Sequence, residues 1–231
     1  MTIAQAPTVQ SELKVDNTVQ RRSKGERTKE KILLAAINVL AINGIKGTTH
    51  RSIANYAEIQ LSLTTYYFKD IGELVQQAFQ LNSDHLRART DTILEKVSNT
   101  LESIDKASLK KVSEKTVLCE KLSKLTANYL FANIQKEATP LAVEQLMFTT
   151  VQVSPALKKL AHEHEKSQLI PFTQFAGYFN KTDPEIDAQM MRTIFSQLQY
   201  SQLPLTESEQ SIKPIEEVTK KLIGWIMGLK N

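Results

Sequence analysis

Between Asn43 and Lys69 the apolar residues fall into two helical blocks too short to be stable alone, and this limits the fold more than any other feature of the chain. Ile53, Ala54 and Ala57 share one face of a helix over about His50 to Ala57, with Thr49 placed to cap it, and a second block spans about Leu61 to Tyr66. Helices this short are marginal in water, because nucleation costs more than a few hydrogen bonds return. They persist only when packed on something longer. Upstream, Ile32, Ala35, Ala36, Val39 and Leu40 predict a helix from about Arg27 to Ala41, stopped by Asn43-Gly44 and preceded by Ser23 and Glu26 at capping-box spacing. Downstream, a helix starting near Asp70 carries Leu74, Val75, Ala78, Phe79 and Leu81. Two short helices joined by a tight connection and packed on longer neighbours make a helix-turn-helix, with Ile53, Ala54, Ala57, Ile59 and Phe68 to hold it.

The rest of the chain reads as helices too. Valine and isoleucine rarely alternate with polar residues, so strands are not expected. Thr139-Pro140, Ser154-Pro155 and Asp183-Pro184 each read as an N-cap followed by proline at the first helical position, where the missing N–H costs nothing. The fourth helix is extended through Leu86, Ile93, Leu94 and Val97, and the polar residues 98–112 are expected to form a loop or frayed helix. Later helices are placed at about 113–136, 141–152, 155–178, 184–202 and 214–229, with Pro171 kinking or splitting the third of these. The expected fold class is all-α: a disordered tail over 1–19, an N-terminal three-helix helix-turn-helix domain over 20–80, and a C-terminal helical domain over 81–231.

Charge is concentrated where this module begins. Residues 20–32 hold Arg21, Arg22, Lys24, Arg27, Lys29 and Lys31 against Glu26 and Glu30, which accounts for the whole formal excess of +4. A basic segment beside a compact module is the electrostatic footprint of a phosphate binder, although a solvated tail has the same composition. No apolar run approaches the roughly 18 residues of a membrane span, and the N-terminus lacks the pattern of a secretory signal. The single cysteine, Cys119, allows no internal disulfide and fits a reducing cytoplasm.

The order and spacing of several elements over residues 24–80 resemble the N-terminal domain of the TetR family of transcriptional regulators. They are Ile32, Ala35 and Ala36 in the first helix, Asn43-Gly44 with Gly47-Thr48-Thr49 in the turn, Ile53-Ala54 and Ala57 in the second helix, and Leu63-Thr64-Thr65-Tyr66-Tyr67-Phe68 ending the third. Beyond residue 80 the likeness is only an all-helical layout. Three positions depart from the family pattern: Glu58 stands where the turn usually has glycine, Gln60 where a small hydroxyl or proline often caps the recognition helix, and Ile71 where a lysine is common. The resemblance implies a ligand-responsive repressor that binds a palindromic double-stranded DNA operator as a homodimer and is released by a small-molecule inducer.

Roles follow from residue chemistry. Thr49 offers a hydroxyl and helix N–H groups to a phosphate, with His50 and Arg51 beside it as backbone contacts. Ser62, Leu63 and Thr64 are expected to face the major groove. Tyr66, Tyr67 and Lys69 flank it, one tyrosine packing inward while the other reaches phosphate. Arg21, Arg22 and Lys24 either enter an adjacent minor groove or form a free tail. In the body, a pocket between the helices at about 83–97, 113–136, 141–152 and 155–178 has Leu122, Tyr129, Glu144, Phe148, Phe172 and Phe175 as candidate lining residues. Glu144 shares helical spacing with Leu141 and Phe148; an inward carboxylate needs a partner, which favours an amphipathic or cationic ligand unless Glu144 points to solvent or a lysine such as Lys136 pairs with it. The dimer is expected through about 184–202 and 214–229, using Ile186, Met190, Ile194, Phe195, Leu198 and Leu203 with Val218, Leu222, Trp225, Ile226 and Leu229.

Other signals are weaker. His162 and His164 are two apart on a helix and cannot converge on a metal, and Cys119 lies at helical spacing among Leu118, Leu122 and Leu125 as a buried thiol. No catalytic constellation, metal site or cofactor loop is apparent, so an all-helical enzyme is disfavoured. The alternative reading is an all-helical interaction adaptor that has lost DNA binding.

Overall fold

The computed structural model describes residues 24–149 and 154–229, and among these the regular elements are helices. In chain order they are α1 (Lys24–Gly47), α2 (His50–Tyr56), α3 (Leu61–Tyr67), α4 (Ile71–Glu102), α5 (Val112–Lys136), α6 (Ala138–Thr149), α7 (Pro155–Phe179), α8 (Pro184–Tyr200) and α9 (Ile212–Ile226), with a 3-10 turn at Ser108–Lys110. The expected tail over 1–19 and the Ser23 half of the capping box lie outside the described residues.

The local chemistry explains most of the boundaries. Gly44 leaves the helical path of α1 at φ +64°, the left-handed stop expected of Asn43-Gly44, and a last turn then runs to Gly47. A Cβ on Gly47 would lie 2.6 Å from that of Asn43, so this turn needs glycine. Thr49 caps α2 in a reciprocal box, accepting from the Ser52 N–H at 3.1 Å while Ser52 Oγ accepts from the Thr49 N–H at 2.8 Å. Asp70 caps α4 through the Gly72 N–H, and Ser154 caps α7 through that of Leu157, with Pro155 in the first turn.

Three sequence expectations change. Thr139-Pro140 does not open a helix: α6 already starts at Ala138, a single residue after α5, so both sit inside its first turn. Helix α4 runs on to Glu102, because Val97 and Leu101 still pack into the core of the body and carry the polar stretch with them. Pro171 does not split α7, which is assigned as one helix from Pro155 to Phe179.

Two hydrophobic cores are stacked along the molecule. The first joins α1, α2, the start of α4 and Phe68 to Val143 and Met147 of α6 and Leu157, Leu160 and Ala161 of α7. The second is built from α5, α8, α9 and the far ends of α4 and α7. Helix α4 takes part in both, so a division near residue 80 falls inside it rather than in a linker.

At the turn between α2 and α3, Glu58 adopts φ +51°, where a side chain costs about 1–2 kcal/mol that glycine avoids. Glycine gives back about 0.5–1 kcal/mol in unfolded-state entropy. Glu58→Gly should therefore stabilise the chain by up to about 1.5 kcal/mol, read as a higher urea midpoint with an unchanged slope.

Candidate nucleic-acid interface and ligand cavity

The end of α3 presents an open face. Ser62, Thr65 and Lys69 are exposed, Tyr66 is 76% exposed, and Leu63 is half-buried. Thr64 is corrected by the structure: it is fully buried and its hydroxyl donates to the Leu61 carbonyl at 2.8 Å. Four residues on, Phe68 is also fully buried, so positions 64 and 68 mark the inward stripe of the short helix. Thr65, which sequence reasoning passed over, takes the outward place; the i,i+4 spacing of Thr64 to Phe68 was the signal available. Tyr67 packs against the first core and Tyr66 turns outward, their rings edge-on at 5.1 Å.

At the start of α2, Thr49 and Arg51 are exposed and His50 is half-buried, with a buried Nδ1 that has no partner among the described residues. The Thr49 hydroxyl is engaged in the cap with Ser52, whereas the Arg51 side chain is exposed. Lys69 is free to point away from the core, whereas Lys29 lies over the Phe68 ring at 5.4 Å.

The body encloses a cavity of about 90 Å³ between α4, α5, α6, α7 and α8. Tyr129, Glu144, Phe172 and Phe175 line it, as expected; Leu122 and Phe148 do not. Leu122 is fully buried in the second core, and Phe148 is packed against the first core beside the His164 ring at 5.9 Å. The polar liners come mostly in pairs, Tyr129 with Thr90 at 3.1 Å and Asn133 with Gln199 at 3.3 Å.

Glu144 is 6% exposed and faces inward, but it is not a lone charge. Its Oε1 accepts from His164 Nε2 at 2.6 Å and from Arg192 at 3.2 Å, and its Oε2 from the Tyr200 hydroxyl at 2.9 Å. With Nε2 donating, His164 Nδ1 is left to accept from the Ser83 hydroxyl on α4. Burial pushes the Glu144 carboxyl up; the His164 hydrogen bond, the Arg192 charge and the Tyr200 hydroxyl outweigh it and hold the group below its ordinary value. Burial and the Glu144 charge together push the Tyr200 phenol well up. The supposition that Glu144 lacks an internal cation, or pairs with Lys136, is therefore corrected: Arg192 supplies it. Arg192 and His164 were missed although each interrupts an apolar helical stripe, the same signal that singled out Glu144. His162 points outward while His164 is buried, so the two do not converge. Cys119 is buried, and that burial raises its thiol.

No family model matches the chain, and no curated protein matches it. Solved structures do. A TetR-family transcriptional regulator from Mesorhizobium loti is 16% identical, covers 90% of this chain and 98% of its own, and superposes with a TM-score of 0.64. The chain has the TetR-family fold. A protein described as a transcriptional regulator from Saccharomonospora viridis, in complex with choline, is 12% identical over 86% of this chain and 96% of its own, with a TM-score of 0.64. The multidrug binding protein EbrR in complex with proflavin is 19% identical over 86% of this chain and 99% of its own, with a TM-score of 0.53. The TetR-type likeness thus extends well past residues 24–80, where the sequence resemblance ended, into the helices around the cavity.

The Glu144 network carries a pH signature. A carboxyl held low in the folded state stabilises the fold above its unfolded pKa, and that contribution is lost as pH falls through the folded value. Glu144→Gln should cost about 3 kcal/mol at pH 7 by leaving Arg192 short of its partner. The gap to wild type should narrow as the pH drops below about 4. Urea unfolding of both proteins at several pH values checks this, and a gap that stays constant into acid would contradict it.

Proposed function

We propose that the chain is a ligand-responsive transcriptional repressor that binds a palindromic operator as a homodimer and is released by a small organic inducer. The observation that carries this reading is the continuity of α4, whose first turns pack with the helix-turn-helix while Leu86, Thr90 and Ile93 line the internal cavity. A molecule entering the cavity contacts the helix on which the DNA-reading unit is built. Inducer that prefers one α4 position over another shifts the balance between binding-competent and released states by its differential affinity. In this reading the module over 20–80 is the DNA-binding domain and 81–231 the ligand-binding and dimerisation domain, with the cytoplasm as its place.

On DNA, Ser62, Thr65 and Leu63 meet base edges in the groove, and Tyr66, Lys69, Arg51, His50 and Thr49 hold phosphates on either side. Two copies are needed, since one short recognition helix makes few contacts and half-sites are read by two-fold related heads. The exposed apolar residues Ile186 and Met190 of α8 and Val218 and Trp225 of α9 favour these helices as the interface. Phe195, Leu222 and Ile226 leave the predicted stripes, because they are buried in the second core of the same chain.

An enzymatic reading finds little support. Ser83, His164 and Glu144 stand in the order of a nucleophile relay, but Ser83 and His164 are both buried and neither lines the cavity. Among the described residues no helix is long and apolar enough to cross a membrane.

The first test is a gel shift on the DNA flanking the protein's own gene. Lys69→Ala should weaken binding to every sequence and lower the salt slope by about one unit, whereas Thr65→Ala should change discrimination among operators. Unchanged binding in both variants would contradict the placement of α3. Light scattering at micromolar concentration should return the mass of two chains for wild type and of one for Trp225→Glu.

A further inference from the structure

The polar end of the cavity holds an unmet need, and it is for an acceptor. Arg192 is 8% exposed and lines the cavity; its guanidinium reaches Glu144 at 3.2 Å and Glu165 at 3.4 Å, yet its Nε is buried without a partner. Gln168 is 7% exposed and also lines the cavity, where its side-chain amide can donate to an acceptor. The two belong to one band of the α7–α8 interface. Arg192 pairs with Glu165, three residues before Gln168, and Phe195 meets Phe172, four residues after it, at 5.9 Å between ring centroids. A buried N–H left unpaired is costly, and only a group that accepts a hydrogen bond relieves it.

The charges around this band narrow the choice. Arg192 is already shared between two carboxylates, so no spare positive charge awaits an anion. A cation has no lone pair to offer Nε, and Glu144 already receives three donors. Beyond the polar end, Ile93, Leu94, Val97, Phe172 and Phe175 make an apolar wall. Leu94, Val97 and Phe175 also line a surface groove of about 470 Å³ between α4 and α7, so these three side chains partition the cavity from the outside. At about 90 Å³ the cavity holds the head of a ligand, and a tail would have to part these three side chains to reach the groove, whose lining also includes Asp91, Glu95 and Glu102.

The geometry points to a neutral amphiphile as the ligand, one whose head is a carbonyl oxygen (ketone, amide or ester) accepting from Arg192 Nε and the Gln168 amide. This assignment rests on the reading of the cavity as a ligand site. It makes Gln168 and Arg192 the residues that set ligand class, and it departs from the cationic ligand suggested by Glu144 alone.

Three probes with the same eight-carbon chain separate the classes: 2-octanone, octanoate and octyltrimethylammonium, titrated calorimetrically into the full chain without DNA. The ketone should bind at least tenfold more tightly than either ion. Gln168→Leu should cost the ketone about tenfold, or 1.4 kcal/mol, and thermal melting of the variant will show that it is folded. Arg192→Lys, which keeps a charge for Glu144 but removes Nε, should do the same and serves as the second variant. Either ion binding as tightly as the ketone, no probe binding at all, or ketone affinity unchanged in both variants would overturn the assignment. Because DNA is absent, these outcomes are independent of the gel shift on which the repressor reading stands.

Discussion

The burial of one carboxylate organises the body of this protein. Glu144 sits on α6, and a charge taken out of water there must be matched by donors from whatever surrounds it. The donors come from two other helices: His164 of α7, and Arg192 and Tyr200 of α8. His164 passes the chain of bonds to Ser83 of α4. Four helices that hydrophobic packing alone would allow to slide are thereby held in one register, because any shift would leave a buried charge or donor unmatched. The cavity exists at this crossing, walled by aromatic and aliphatic side chains on one side and by the ionic cluster on the other.

The same arrangement ties the cavity to the N-terminal unit. Helix α4 is capped by Asp70 just after α3, packs Leu74, Val75, Ala78 and Phe79 into the first core, offers Ser83 to the Glu144 network, and then lines the cavity with Leu86, Thr90, Ile93 and Leu94. A second clamp lies near the middle of the helix, where Glu137 receives Arg89 at 2.9 Å and His85 at 2.7 Å across the α5–α6 junction. Packed cores and buried ionic clusters shift between discrete arrangements rather than deforming smoothly. A helix held at its start and near its middle in this way is suited to transmit a change in cavity contents.

The N-terminal module was legible because its information is local. Asn43-Gly44, Thr49, Asp70 and the apolar spacing of Ile53, Ala54 and Ala57 act within a few residues of where they stand, and the helices start and stop close to the positions they mark. The face of α3 was harder. Over seven residues the spacing of Thr64 to Phe68 is the one inward signal, and the polar side chain of Thr64 argues against it although its hydroxyl bonds its own helix. In the body, Tyr129, Phe172 and Phe175 reached the cavity, but Leu122 and Phe148 did not, since apolar spacing marks a buried face without saying which of two cores it faces.

The all-helical class and the caps and stops were readable from the chain, because each depends on backbone chemistry or on near neighbours. Whether Glu144 turns inward, and what it meets there, depends on the packing of distant helices. Arg192 stands 48 positions away and His164 20, and nothing local to either residue encodes that they share one carboxylate. The same holds for the outward face of α8 and α9, where Phe195 and Leu222 look like Ile186 and Trp225 in sequence and differ only in which neighbour covers them. Long-range contacts set the electrostatic balance of the cavity, and the balance of a buried site depends on every charge within reach rather than on the residue that first draws attention.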